Sequence, residues 1–130
     1  MKRTHSVFKK NNMTEDELNQ ELEKLPYIIA VDFDGTLVED DYPRIGSIKL
    51  ANWEMARSAQ EKGAKLILWT CRTGSKLDEA VWFCADNGLK FDAVNQDIPA
   101  VRRLLGKGIK VFADEYWDDK ANALFSTLEH

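Results

Sequence analysis

Two aspartates stand two residues apart where an apolar run ends. Residues 27–36 read Tyr-Ile-Ile-Ala-Val-Asp-Phe-Asp-Gly-Thr, which brings Asp32 and Asp34 out of the run together. Positions i and i+2 of a strand lean towards one face, so these carboxylates repel each other unless a cation or a shared proton intervenes. Other polar groups follow later apolar runs. Thr70 closes the run at 65–69, Asp118-Asp119 follows the last one, and Lys107 and Lys110 flank it. Carboxylates converging on a small area suit a hard cation with oxygen ligands, for which Mg²⁺ is the usual solution. A hydroxyl and an ammonium group beside them make sense when a phosphoryl group sits on that ion, because its remaining oxygens need donors. Gly35 would let the backbone turn sharply and approach a ligand closely.

The elements that must position these groups follow from periodicity and punctuation. Thr14-Glu-Asp-Glu17 is a capping-box pattern, and Leu18, Leu22 and Leu25 recur at helical spacing before Pro26. A strand is predicted over 27–33, apolar at successive positions as in a parallel sheet covered on both faces. Residues 37–46 form a turn-rich loop. Ser47 caps a helix to about Lys62 with Ile48, Ala51, Met55 and Ala59 inward, and Gly63 stops it. A second strand spans 65–69, a helix 75–87, a brief strand 91–94, and Asp97 caps a helix carrying Val101, Leu104 and Leu105. The fourth strand is expected at 109–113. A last helix follows, burying Ala121, Leu124, Phe125 and Leu128. The order βαβαβαβα implies an α/β fold, a doubly wound, three-layer, Rossmann-like parallel sheet with right-handed crossovers. In such sheets ligands bind beyond the carboxyl ends of the strands, where strand order reverses. Every polar cluster above lies at such an end.

Composition sets the outer bounds. A chain of 130 residues, 44% hydrophobic and 31% charged, fits one folded domain at 13–130 behind a polar tail at 1–12. The net charge of -4 and the lack of a basic block argue against nucleic-acid binding. No apolar run is long enough for a membrane span, and the N-terminal residues lack the apolar core of a secretory signal. Two cysteines, Cys71 and Cys84, make neither a zinc site nor a disulfide framework, so a reducing cytoplasm is the expected setting.

The polar residues also resemble a known family. Asp32-Phe-Asp34-Gly35-Thr36 is similar to the first motif of the haloacid dehalogenase superfamily of phosphohydrolases, Asp-x-Asp-Gly-Thr after an apolar strand. Thr70 resembles its second motif and Asp118-Asp119 its paired-acid fourth, so the likeness covers about residues 27–125. The resemblance implies that Asp32 is the nucleophile, attacking phosphorus to give an aspartyl-phosphate. Asp34 would protonate the leaving alcohol and then activate water, a role that neighbouring anions favour. Mg²⁺ would be held by the Asp32 carboxylate, the Asp34 main-chain carbonyl and Asp118, and Thr70 with a lysine would bind the phosphoryl oxygens. For that lysine, Lys110 is preferred because it leads into Val111-Phe-Ala-Asp114, with Lys107 close behind and Lys90 third. Asp118 ranks first as metal ligand, Asp119 as its support and Asp114 third.

Plainer readings compete at each position. Asp32 and Asp34 as mere turn and cap residues are outweighed by the other strand-end groups. Arg72 is balanced between meeting a substrate anion and being a solvated loop residue. Cys71, without a paired histidine, reads as a loop packer. Trp53, Trp69, Trp82 and Trp117 read as core, His5 and His130 as inert termini, and Glu39-Asp40-Asp41 as a solvated loop. Asn95, after the third strand, is within reach of the cleft but is not counted among the site residues.

Neither gap where this family places cap domains has room for one, so an open, core-only enzyme is expected. By analogy its phosphorylated substrate is either large or a small molecule roofed by a second copy of the chain. A phosphotransferase using the same residues is an alternative. A receiver-like phospho-acceptor domain fits less well, since its acceptor aspartate would lie on the third strand, where only Asp92 is found. A non-catalytic binding module is the remaining rival.

Overall fold

The structure, a computed structural model, describes residues 13–106 and 111–119. The expected polar tail, Lys107, Lys110 and the expected C-terminal helix lie outside the described residues. Helix α1 (Glu15–Glu23) begins with the capping box: Glu17 N donates to Thr14 Oγ1 and Thr14 N to the Glu17 carboxylate. Its buried Leu18 and Leu22 pack on one face of the sheet.

Four parallel strands follow: β1 (Ile28–Val31), β2 (Lys65–Leu68), β3 (Ala93–Val94) and β4 (Glu115–Trp117), in spatial order β3-β2-β1-β4. Alternation sorts their side chains. Ile29, Val31, Leu66, Leu68 and Trp117 join a core with Trp53 and Ala56 of α2 (Leu50–Glu61) and Ala80 and Cys84 of α3 (Gly74–Asp86). Ile28, Ala30 and Ile67 join a second core with α1 and with Val101 and Leu105 of α4 (Pro99–Leu105). The result is three layers, as expected from apolar strands buried on both faces. Among the described residues, no helix is long and apolar enough to cross a membrane.

Three expectations are corrected. The fourth strand runs over Glu115–Trp117, not 109–113. Asp114 N donates to Ile28 O at 2.8 Å and Ile28 N donates to Asp114 Oδ2 at 2.7 Å, which fixes the start of the β1–β4 ladder at Asp114. Asp92 does the same before β3: its N donates to Leu66 O and its Oδ2 accepts from Leu66 N, both at 2.8 Å. Second, α2 starts at Leu50 without the Ser47 cap. Glu39 N donates to Ser47 O and Lys49 N to Leu37 O, so residues 47–49 pair with the chain after the aspartate motif instead. The helix presents Trp53 and Ala56 inward, whereas Ala51 is exposed. Third, Asp97 is no helix cap: Ile98 holds that position and Asp97 Oδ1 accepts from Phe112 N.

Two of the four tryptophans also depart from the core reading. Trp53 and Trp117 are buried, but Trp69 is 36% exposed and Trp82 64% exposed. Residues 37–49 form a short antiparallel excursion, and only residues 95–98 separate β3 from α4, so the described residues of neither gap contain a folded cap.

Candidate active site

Register determines what meets at the carboxyl edge of the sheet. Val31 pairs with Trp117 on one side and Leu68 on the other, and Leu68 pairs with Val94. The next residues, Asp32, Asp118, Trp69 and Asn95, therefore stand in a row. The ladder extends to them: Asp32 N donates to Trp117 O, Trp69 N to Val31 O and Asn95 N to Leu68 O. Neighbouring strands lie about 5 Å apart, so Asp32 and Asp118 are adjacent at the point where strand order reverses. A cleft of about 520 Å³ is lined by Asp32, Thr70, Asn95, Asp118 and Asp119, with Trp69 at its side.

Asp32 is half-buried, and its Oδ1 accepts from Phe33 N at 2.8 Å. Burial pushes its carboxyl up to about 6. The Phe33 hydrogen bond opposes that rise, and the charges of Asp119, Asp34 and Asp118 add to it, in decreasing order. Asp119 thus raises the proton affinity of Asp32 more strongly than Asp118 does. Gly35 explains its approach. With φ at +87°, a Cβ there would lie 3.0 Å from Asp119 Oδ2, so the missing side chain leaves space for a carboxylate.

The main surprise is Arg72. It is only 1% exposed and turns away from solvent. Its Nε donates to Asp34 Oδ2 at 2.8 Å and its Nη2 to Asp34 Oδ1 at 2.7 Å. The remaining donors reach the main-chain carbonyls of Pro43, Arg44 and Lys76. Phe33 and Tyr42 sandwich the guanidinium, with ring centroids 5.1 and 5.0 Å from Cζ. The hydrogen bonds to Asp34 hold Arg72 above its ordinary pKa against the cost of burial. The charge in contact with Asp34 is therefore a cation, not the neighbouring anions expected from sequence.

Thr70 lines the same cleft. Its Oγ1 accepts from Arg72 N and its own N donates to Asn95 Oδ1, which leaves the hydroxyl proton to be donated. Asp114 does not join it. Level with Ile28, Asp114 lies at the opposite end of β1, roughly 13 Å from Asp32 at strand rise. Lys90 likewise precedes β3 and lies at that far end. Lys49 was not singled out, yet its Nζ donates to Gly35 O at 3.0 Å. Its only sequence signal is its place just before α2, where the paired excursion returns.

Among the described residues, no three Asp, Glu, His or Cys side chains form a cage for an ion. Two carboxylates and a main-chain carbonyl need no such cage, because Mg²⁺ keeps several waters and commonly uses one or two carboxylates. The mutual repulsion felt by Asp32 is what a cation there would relieve, so the donor set fits the ion.

No family model matches the chain, and no curated protein matches it. The solved structure of a conserved protein from Bacteroides thetaiotaomicron does match. It is 37% identical with a TM-score of 0.70, over 81% of this chain and 91% of that one. At that identity and coverage, this chain belongs to the same family as the conserved Bacteroides thetaiotaomicron protein.

Proposed function

We propose that the chain is a Mg²⁺-dependent phosphohydrolase of the haloacid dehalogenase type, acting through an aspartyl-phosphate on Asp32. The observation that carries this reading is the β2-β1-β4 register, with Asp32 between Thr70 and Asp118 in one cleft. Asp34 enters the cycle carrying a proton from solvent on one oxygen; an Asp32 oxygen attacks phosphorus, the bond to the leaving oxygen breaks, and that oxygen takes the Asp34 proton. Water then attacks the same phosphorus and gives its proton to Asp34. The bond to Asp32 breaks and inorganic phosphate departs. Protonation costs Asp34 one of its guanidinium hydrogen bonds and deprotonation restores it, so Arg72 holds its direction while Asp34 changes state. Thr70 donates to a non-reacting phosphoryl oxygen. The Asp32 and Asp118 carboxylates and the Asp34 carbonyl would hold Mg²⁺, whose charge offsets the repulsion between phosphate and carboxylates.

The receiver-like alternative is weaker, because Asp92 uses its carboxylate on Leu66 N at the far end of β3. The open cleft suits a large phosphorylated substrate or a small one roofed by a second copy. The test is release of phosphate from p-nitrophenyl phosphate. Turnover should require Mg²⁺ and fall by several orders of magnitude in Asp32→Asn. Equal turnover in that variant overturns the assignment, and stable labelling without turnover favours a phospho-acceptor.

A further inference from the structure

Asn95 combines two observations. Among the described non-glycine residues it alone has positive φ, at +53°. Asparagine tolerates that region better than most residues, yet holding it there is a local cost that sites often retain. Its side chain also has a fixed orientation. Thr70 N donates to Asn95 Oδ1 at 2.8 Å, so the carboxamide oxygen must face Thr70 and the amide nitrogen the other way. Asn95 lines the same cleft as Asp32, Thr70, Asp118 and Asp119.

The site needs donors. Ionised Asp32, Asp118 and Asp119 can only accept hydrogen bonds, and a bound phosphoryl group presents further acceptors. Thr70 supplies one proton, and the Asn95 amide supplies two more from the neighbouring strand end. Resting on the phosphohydrolase reading, we infer that Asn95 is a phosphate-binding residue, donating from Nδ2 to a non-reacting phosphoryl oxygen while Oδ1 fixes Thr70. The αL backbone places one side chain where it can do both.

Two substitutions separate these roles. Asn95→Gly accepts the positive φ without strain and removes both functions. Asn95→Asp keeps an acceptor for Thr70 N but replaces the donor with a carboxylate. Thermal melts establish that each variant folds, and steady-state turnover of p-nitrophenyl phosphate is measured with inorganic phosphate as competitive inhibitor. Both variants should raise KM and the phosphate inhibition constant by about 10- to 100-fold, the range for a lost hydrogen bond to a charged group. The Asn95→Asp loss should persist in 0.5 M salt, where simple repulsion from an exposed carboxylate is screened.

If Asn95→Asp behaves as wild type and only Asn95→Gly is impaired, Asn95 is a tether for Thr70 and the inference is overturned. Wild-type behaviour in both variants, or an Asn95→Asp loss that salt abolishes, overturns it as well. If the wild type releases no phosphate at all, the hydrolase reading falls. Calorimetric binding of inorganic phosphate with Mg²⁺ then decides the inference alone: binding by wild type but neither variant upholds it, and any other pattern overturns it.

Discussion

Arg72 and Asp34 are joined by two parallel hydrogen bonds of 2.8 and 2.7 Å across 38 residues of sequence, with the Arg72 side chain 1% exposed and that of Asp34 18% exposed. A fork-to-fork pair of this kind fixes direction as well as charge.

Breaking the pair should therefore destabilise the fold. Asp34→Asn leaves a buried guanidinium without its counter-ion, and Arg72→Lys cannot reproduce the fork or reach three carbonyls. Each should cost about 3 kcal/mol, which lowers the melting temperature by on the order of 10 °C. Thermal unfolding checks this. A shift below 2 °C in both variants would show that the pair contributes little to the fold.

Asp32 makes a pH prediction of the opposite sign to an ordinary ion-paired carboxylate. Its raised value means that the folded state binds the proton more tightly than the unfolded chain. Its contribution to stability is thus full below about 3.8 and is lost as pH rises through about 6. After discounting for solvent screening, the loss is on the order of 1–2 kcal/mol. Metal-free wild type should lose stability relative to Asp32→Asn across that window. Denaturant unfolding at pH 4 and pH 7 measures the difference, and equal stability gaps at both values would refute it.

Gly35→Ala should act in two ways. A side chain at φ +87° is strained by about 1–3 kcal/mol, and its Cβ would press on the Asp119 carboxylate. The variant should melt earlier and also need more Mg²⁺ for half-maximal turnover. A fall in melting temperature with unchanged metal dependence would detach Asp119 from the site.

The two thiols should differ sharply. Burial pushes Cys84 up to about 12, whereas Cys71 is exposed in the cleft between Thr70 and Arg72. A disulfide reagent at pH 8 should modify Cys71 in the native protein and reach Cys84 only on unfolding. Inorganic phosphate with Mg²⁺ should slow Cys71 labelling. Equal rates for the two thiols would contradict the packing of α3.

Much of this was legible in the sequence, for identifiable reasons. The runs at 28–31 and 66–68 are apolar on both faces, and that pattern alone implies a covered parallel sheet. The carboxylate motif, Thr70 and Asp118 were legible because each ends a strand. What escaped depends on distant partners. Glu115 sits in β4 because Asp114 N donates to Ile28 O and the register then pairs Glu115 with Ile29, a pairing that no local pattern reveals. Arg72 resembled any loop arginine until the fold brought Asp34 to it. Trp69 and Trp82 are apolar by type, yet strand termination and helix rotation leave them outside the core.

Arg72 also grips the excursion after the aspartate motif through carbonyl oxygens at Pro43 and Arg44, which almost any residue provides, and through one side chain, the Tyr42 ring. The outer rim is thus only loosely tied to its own spelling: Tyr42 must stay against the guanidinium, while the Asp41–Arg44 pair can be replaced together and the carboxylate beneath stays aimed. New recognition surfaces could be grafted there as on an interchangeable bezel, leaving the chemistry below untouched.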